Sequence, residues 1–166
     1  MVIKEIINRR SVREYAPKVV SDENIVEIIK AGQFAPSANH NMAVEFIVIR
    51  AQKTKDKIFE ICQEFQDFVK NAPVLIIPIT DKTKSVLPVQ DLSVASENIF
   101  LQAVALGLGT VWKNLHTDWV KKILKLLNVP KNYIAINIIP IGYPAKKVEP
   151  HTDKDFSSEK IHQEKW

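Results

Sequence analysis

The sequence concentrates its arginines in one short segment. Three of the four arginines, Arg9, Arg10 and Arg13, fall within five residues, whereas lysine supplies nearly all the other positive charge. A guanidinium group presents a planar fork of N–H donors that binds phosphate through two parallel hydrogen bonds, and Ser11 adds a hydroxyl donor beside them. The segment therefore predicts a phosphate site, although composition alone is equally compatible with a solvated basic loop.

Backbone phosphate motifs based on glycine are missing. The sequence contains four glycines, Gly32, Gly107, Gly109 and Gly142, which do not form a Walker P-loop. They do not form the dinucleotide fingerprint G-x-G-x-x-G either, because Trp112 stands at its third glycine position. Side chains would therefore have to bind a nucleotide cofactor, and residues 9–13 are the best candidate.

Other catalytic motifs are not found. The sequence has no HExxH and no GxSxG, and its histidines, at positions 40, 116, 151 and 162, do not have metal-ligand spacing. No metal site is predicted. The single cysteine, Cys62, cannot form a disulfide within the chain, and it shares a helical face with Ile58, Ile61 and Phe65. We predict that Cys62 is a buried thiol.

Composition predicts one ordinary globular domain over residues 1–166. Hydrophobic residues make up 46% and charged residues 25% of the chain, which is typical of soluble proteins. No apolar run approaches a membrane span, and the first residues do not resemble a signal peptide, so a cytoplasmic location is expected. The formal net charge of +4 favours anionic ligands, and both phosphate-bearing cofactors and nucleic acid fit it.

Hydrophobic periodicity predicts the elements that position the arginines. A short helix delivers them at its end. A second helix starts at a Ser21 N-cap and buries a stripe that contains Ile25 and Ile28, with Phe34 as a further candidate. The predicted helices cover residues 2–9, 22–32, 54–66, 91–106 and about 118–127, and the predicted strands cover residues 44–49, 73–79, 110–112 and 133–141.

This order of elements predicts an α+β fold. We expect a three-layer α/β sandwich whose central mixed, mostly antiparallel sheet is flanked by helices. The helix over residues 91–106 is apolar on several sides, so it is expected to pack against its own core or a partner. Residues 145–166 form a polar C-terminal tail without a core pattern, and such a tail is either frayed or packed on another subunit.

Four stretches of the sequence resemble the nitroreductase family of FMN-dependent oxidoreductases. They are RRSVREY (9–15), APSANHN with the following EFIVI (35–49), EN with ALGLGTVW (97–112), and VPKNYIAINIIPIGYP (129–144). The resemblance covers most of the chain. It implies a homodimer with FMN at the subunit interface, with the 91–106 helix in that interface and the tail on the partner subunit.

The resemblance also implies a set of FMN-binding residues. Arg9, Arg10 and Ser11 would hold the phosphate and ribityl chain. Arg13 would lie near the pyrimidine edge, where a fixed positive charge stabilises the reduced flavin. The remaining implied contacts are the loop residues Pro36, Ser37, Ala38, Asn39, His40 and Asn41 from the other subunit, Lys113 and Asn114 at flavin N5, and Lys146 or Lys147 at the phosphate.

One part of the sequence departs from the family pattern. The family loop PSxxN usually continues into xQPW, but here His40 stands at the asparagine position and Asn41 follows. Either Asn39 or Asn41 could take the role of that asparagine, and spacing does not decide between them. The missing Gln-Pro-Trp bears on the substrate more than on FMN binding, which rests on the arginines.

The resemblance implies an enzyme in which the flavin carries the chemistry and no side chain acts as a catalyst. Hydride would pass from NADH or NADPH to flavin N5, and then to a nitroaromatic, a quinone or a similar small-molecule acceptor in a ping-pong mechanism. Other FMN chemistry, such as reductive dehalogenation or flavin breakdown, is an alternative on the same fold. No membrane or nucleic-acid partner is implied.

A basic nucleic-acid-binding module is the competing class. Lys113, Lys121, Lys122 and Lys125 could form a basic face near Trp119. However, Trp119 fits the apolar stripe of its own helix, and no recognised nucleic-acid motif accompanies the lysines. A solvated helix face is the simpler interpretation.

Overall fold

A computed structural model describes residues 1–62 and 66–166 of the chain. The described elements are, in chain order, α1 (Lys4–Asn8), α2 (Asp22–Gln33), β1 (Val44–Ile49), α3 (Gln52–Cys62), α4 (Phe68–Asn71), β2 (Val74–Asp81), α5 (Pro88–Ala105), β3 (Gly109–Thr110), β4 (Lys113–Asn114), α6 (Thr117–Leu126), β5 (Tyr133–Ile134) and β6 (Asn137–Gly142).

β2 is the central strand of an antiparallel sheet. It pairs with β1 on one side and with β6 on the other, and β3 follows β6 in the order β1-β2-β6-β3. β4 also pairs with β6, and β5 pairs with the end of β2. Parallel pairing in the described chain is limited to an isolated bridge between Ser11 and Thr110. The predicted α+β class and mostly antiparallel sheet are confirmed.

Two apolar cores cover the two faces of the sheet. All eight residues of β2 are buried, as expected of a strand covered on both sides. Leu75 and Ile77 point into the core formed with α3, α4 and α6. Val74 and Ile76 point into the core formed with α2 and α5. The three-layer arrangement follows from this alternation, because successive side chains of a strand face opposite sides.

The predicted strand over residues 133–141 is interrupted. β5 pairs Ile134 with Thr80, whereas β6 pairs Ile139 with Ile76. Four residues, 135–138, therefore lie opposite the three residues 77–79 of β2. This one-residue excess is a β-bulge, which bends the strand locally.

Helix α2 matches its predicted start and buries Ile25 and Ile28 as predicted, but Phe34 is not part of the buried stripe. The backbone N–H of Asn24 donates to Ser21 Oγ at 3.2 Å, which confirms the N-cap. Phe34 is 79% exposed, so its assignment to the buried stripe was wrong. The helix ends at Gln33 and Phe34 occupies the C-cap position, off the apolar face.

The other predicted helices are present with shifted ends. Within the described part of the 54–66 helix, α3 ends at Cys62, which is buried as predicted. Phe65 lies outside the described residues. Helix α5 buries one side, including Leu92 and Ile99, while Val94 on another side remains exposed.

The C-terminal tail has little regular structure. It contains two short 3-10 turns, Asp153–Asp155 and Ser158–Lys160. Three large apolar side chains in it, Phe156, Ile161 and Trp166, are more than half exposed. Across residues 1–62 and 66–166, no helix has the length and apolar character needed to cross a membrane.

Candidate phosphate site and adjoining cavity

The arginine segment, residues 9–13, lies along the edge of the sheet. The Val12 N–H donates to the Thr110 carbonyl at 2.9 Å, and a few residues later the Ala16 N–H donates to the Tyr143 carbonyl at 2.8 Å. The segment is therefore joined to β3 and to the end of β6. Two strands fix its position, although its own residues form no regular strand.

Two glycines allow this close approach. A Cβ atom at Gly109 would lie 2.5 Å from Cγ2 of Val12, and a Cβ atom at Gly142 would lie 2.8 Å from Cδ1 of Tyr15. Contacts of a Cβ atom below 3.0 Å essentially never occur in real proteins. Half of the four glycines in the chain thus serve to seat the segment that carries the arginines.

Tyr15 connects the arginine segment to β6 through its hydroxyl group. Its hydroxyl lies 2.8 Å from the Val12 carbonyl and 3.2 Å from the Pro140 carbonyl, so it donates between the segment and β6. Burial raises the pKa of the Tyr15 phenol well above its ordinary value, although the nearby Arg13 charge opposes this shift. The hydroxyl therefore keeps its proton. Sequence analysis missed this residue, although it lies within the RRSVREY match.

The donors of the arginine segment are accessible. Arg10, Ser11 and Arg13 are exposed, and Arg9 is half-buried. Nη1 of Arg10 lies 3.4 Å from Nδ1 of His151, which brings the C-terminal tail to the segment. The four residues assigned to the phosphate, ribityl chain and pyrimidine edge thus lie on one segment, and three of them are exposed.

A carboxylate from the tail also lies near this site. The backbone N–H of His151 donates to the Ile7 carbonyl at 2.8 Å, and the ring atom Nδ1 of His151 lies 3.3 Å from Asp155 Oδ2. The backbone N–H of Thr152 lowers the pKa of Asp155 most, and the charge of Arg10 contributes to the same shift. His151 and Asp155 were not among the predicted site residues, because nothing local in the sequence links them to Arg10.

The two candidate lysines differ in their surroundings. Glu14 directly follows the arginine segment, and Lys146 Nζ lies 2.7 Å from its Oε2 atom. Lys147 Nζ instead lies 3.2 Å from Glu149 Oε1. Both pairs are exposed, and exposed ion pairs of this kind contribute about 0–1 kcal/mol. Either lysine can therefore leave its partner at little cost, but Lys146 is the one placed beside the arginine segment.

The loop over residues 36–41 is held by a buried carboxylate. The Ala38 N–H donates to Asp91 Oδ1 at 2.9 Å, and Ser85 Oγ donates to Asp91 Oδ2 at 2.6 Å. Asp91 is only 3% exposed, so these two bonds replace its hydration. Sequence analysis missed this anchor, because Asp91 and Ala38 are far apart in the chain.

The same loop has an unusual backbone. Asn39 and His40 both have φ of 54°, and Met42 has φ of 48°, a region that non-glycine residues rarely occupy. The Asn41 amide is used within the chain, since it donates to the Lys84 carbonyl at 3.0 Å and accepts from the Ala43 N–H at 3.2 Å. Asn39 and His40 are exposed.

The loop and the arginine segment are anchored separately. Among the described residues, no hydrogen bond or ion pair joins residues 36–41 to residues 9–13. The loop is fixed to α5 through Asp91, whereas the segment is fixed to β3 through Thr110. A single chain thus presents the two predicted parts of the cofactor site on different anchors.

The last two candidate residues, Lys113 and Asn114, form β4 and differ in burial. Lys113 is 5% exposed, and its Nζ lies 4.7 Å from the centre of the Trp119 ring. Asn114 is exposed and, with Trp112, lines a cavity of about 1160 Å³. Because Lys113 is buried and Trp119 packs against the core, the basic face considered for nucleic acid does not include them.

The cavity adjoins the arginine segment through one short stretch of chain. Thr110, which accepts the hydrogen bond from Val12, precedes Asn114 by four residues, a span of at most about 14 Å. The arginine segment and the cavity are therefore connected by a short stretch of chain, although none of residues 9–13 lines the cavity. Such a site belongs to the class of α+β proteins that bind a nucleotide-type cofactor through side chains and a preformed cavity.

The chain belongs to the nitroreductase family, whose sequence model matches residues 6–67 and 61–143. A protein from Methanothermobacter thermautotrophicus, provisionally named an NADH dehydrogenase/NAD(P)H nitroreductase, is 39% identical over 99% of this chain and 87% of its own length. The structure of an FMN-dependent nitroreductase from Clostridium difficile superposes with a TM-score of 0.93, at 32% identity, over 99% of this chain and all of that one.

A relative with a different activity is also similar to the chain. Iodotyrosine deiodinase from Nematostella vectensis is 28% identical over 88% of this chain and 68% of its own length. Proteins similar to this sequence therefore include both reductases and a dehalogenating enzyme.

Proposed function

We propose that the protein is an FMN-dependent oxidoreductase that takes electrons from NADH or NADPH and reduces a small organic acceptor. The observation that supports this most strongly is the arginine segment, which is accessible yet seated against Gly109 and Thr110. The family relationship supports the same activity, since the archaeal relative is named for NAD(P)H and the clostridial structure for FMN.

The donor set fits the cofactor. Arg9, Arg10 and Ser11 offer two guanidinium groups and a hydroxyl, which suit a phosphate and a polyol chain. Lys146, which lies beside Glu14, is the better placed of the two candidate lysines for a further phosphate contact. Arg13 follows on the same segment and provides a fixed positive charge for the reduced state.

FMN, when bound, would supply hydride transfer between nicotinamide and acceptor, so that no protein nucleophile is required. The protein would orient the reactants. In this proposal donor and acceptor occupy the cavity lined by Trp112 and Asn114 in turn, which is the structural basis of a ping-pong mechanism. By the family resemblance, the backbone of residues 113–114 would lie against flavin N5, and binding in the cavity would provide proximity.

We further propose that the working form is a homodimer. The family resemblance implies that a second copy supplies the loop that completes each site, and the separate anchors of residues 36–41 and 9–13 in one chain are compatible with this arrangement. Exposed apolar side chains such as Phe34, Met42 and Val94 support such an interface, as do Phe156 and Ile161 of the tail. Asn39 and His40 are then the loop residues offered to the cofactor, because the Asn41 amide is engaged in its own chain.

Reductive dehalogenation is the second candidate. The similarity to iodotyrosine deiodinase favours it, and the loop lacks the Gln-Pro-Trp of typical nitroreductases. Both activities need FMN and the same arginine segment. They differ in the acceptor, so they are separated by turnover of a nitroaromatic against turnover of an iodophenol.

An anaerobic visible spectrum tests the proposal directly. The protein is mixed with FMN, and the spectrum is recorded before and after NADH, and then after NADPH. Bound flavin that bleaches supports a reductase half-reaction and identifies the donor. Bound flavin that stays oxidised with both donors would argue against NAD(P)H as the reductant, and absence of flavin binding would overturn the proposal.

The Arg10→Ala variant tests the phosphate assignment. We expect a folded protein with FMN affinity at least about tenfold weaker, since a charge-assisted hydrogen bond contributes about 1.5–3 kcal/mol. Arg50→Ala is the matched control, because Arg50 instead pairs with Asp22 at 2.7 Å. Equal FMN affinity in the two variants would contradict the assignment.

A further inference from the structure

We propose that the cavity beside Trp112 and Asn114 selects a planar aromatic molecule that carries negative charge. This inference rests on the proposed function and specifies the chemical class of the molecule that enters the site. It concerns the lining of the cavity, which the family relationship does not specify.

Four lysines surround the cavity. Lys121 and Lys125 are one turn apart on α6, Lys82 follows β2, and Lys131 precedes β5. All four are exposed. Because they come from three separate parts of the fold and face one space, their positive potentials add there.

No carboxylate balances this charge in the described lining. Within residues 1–62 and 66–166, none of the four lysines forms an ion pair, and no aspartate or glutamate lines the cavity. Two carboxylates lie next to the lining and keep their charge: Glu45 accepts the Tyr133 hydroxyl at 2.6 Å, and Asp81 accepts from Thr83 at 2.7 Å. The lining itself therefore carries four positive side chains and no negative one.

The interior of the cavity is apolar. Leu115 and Leu124 are buried there, and Ile134 and Ile136 are partly exposed to the cavity side of the sheet edge. Trp112, which is 37% exposed, offers an aromatic surface for stacking. A lining that is apolar inside and cationic at its exposed lysines suits a flat ring system with an anionic substituent.

Two kinds of reactant share this chemistry. One is an aromatic acceptor that carries a carboxylate, and the other is the nucleotide donor, whose phosphates are anionic. The experiment therefore includes one pair of ligands for each source. In each pair the members differ mainly by negative charge, so that shape and apolar area are held nearly constant.

The test is isothermal titration calorimetry of the purified FMN-loaded protein at low ionic strength. The acceptor pair is 4-nitrobenzoate and 4-nitrobenzamide, and the nucleotide pair is NADP⁺ and NAD⁺. We expect the more negative member of at least one pair to bind about fivefold more tightly, which corresponds to about 1 kcal/mol for one close charge pair in water. The pair that shows the preference identifies the source.

Charge-reversal variants test whether the cavity lysines cause the preference for the more negative ligand. Lys125→Glu is expected to abolish the preference, whereas Lys122→Glu is the control with the same change in net charge on the same helix, outside the cavity lining. High salt should reduce the preference in the wild type, because the lysines are exposed. Lack of any preference in both pairs, or equal loss in the two variants, would overturn the inference.

Failure of this inference is distinguishable from failure of the proposed function. The amount of bound FMN is measured by its visible absorbance in the same samples. Bound FMN without anion preference would overturn the inference alone. If FMN does not bind, the same titrations on the cofactor-free protein test the cavity, while the proposed function fails.

Discussion

Replacement of Gly109 by alanine should disturb the arginine segment specifically. The added Cβ would lie 2.5 Å from Val12 Cγ2, whereas ordinary van der Waals contact begins at 3.4 Å. The segment must therefore move by about 0.9 Å, the difference between these two distances, or the sheet must yield by the same amount. Overpacking of this kind costs about 1–3 kcal/mol of stability.

The movement should also weaken FMN binding. A displacement approaching about 1 Å removes a charge-assisted hydrogen bond from its optimal range, at a cost of about 1.5–3 kcal/mol. We therefore expect the Kd for FMN to rise about 10- to 150-fold. The Kd is measured by titration of FMN fluorescence, and stability is measured by thermal unfolding of the cofactor-free protein.

Gly107→Ala provides the control. Gly107 has φ of +70°, and a Cβ atom added there would meet nothing within 4 Å. Alanine at this position therefore costs about 1–2 kcal/mol of backbone strain without touching the segment. Both variants should lose stability, but only Gly109→Ala should lose FMN affinity. Similar FMN affinities in the two variants would refute the role given to Gly109. Adding Val12→Ala should restore affinity only in part, because the Val12 Cβ, at 2.7 Å, remains.

Three further predictions concern the supports of the site. Asp91→Ala should lower the free energy of unfolding by about 2–4 kcal/mol, because it leaves the Ala38 N–H and the Ser85 hydroxyl without their acceptor. Hydrogen exchange at the Ala38 amide should accelerate in this variant, whereas Asp91→Asn should keep that amide protected. Tyr15→Phe should cost about 1 kcal/mol at pH 7. Because the folded-state pKa of Tyr15 is raised, the contribution of its hydroxyl to stability is fully present below about pH 10 and is lost as the pH rises toward that pKa, at about 1.4 kcal/mol per pH unit. Denaturant unfolding should therefore show the free energies of unfolding of wild type and variant converging in that window. A constant difference would contradict the assignment. Deletion of residues 156–166 should weaken the homodimer measured by analytical ultracentrifugation, since it removes exposed apolar side chains of the tail; an unchanged dimer would exclude the tail from the interface.

Local signals made much of the fold predictable from the sequence. The strand Val44–Ile49 was predicted at its observed bounds, and the Ser21 cap marked the start of α2. Both depend on residues close together in the chain. The interruption of the 133–141 run was not predictable, because it arises from the register of β5 and β6 against β2 rather than from their own residues.

The site shows the same division. The arginine segment was recognisable from residue type and spacing, and the structure leaves Arg10, Ser11 and Arg13 exposed. Its supports were not recognisable, because Tyr15 meets Pro140, and Arg10 meets His151, across more than a hundred residues. The proposed contact between residues 36–41 and residues 9–13 involves two copies of the chain, and it stays a prediction.

The seating of the arginine segment has a consequence for biosynthesis. The Tyr15 hydroxyl meets a carbonyl 125 residues later in the chain, and the ribosome adds roughly 5–20 residues per second. The segment therefore spends on the order of ten seconds outside the ribosome before its bracing strand exists. The hydrogen bond that holds the arginine segment to β6 therefore forms only after most of the chain has been synthesised.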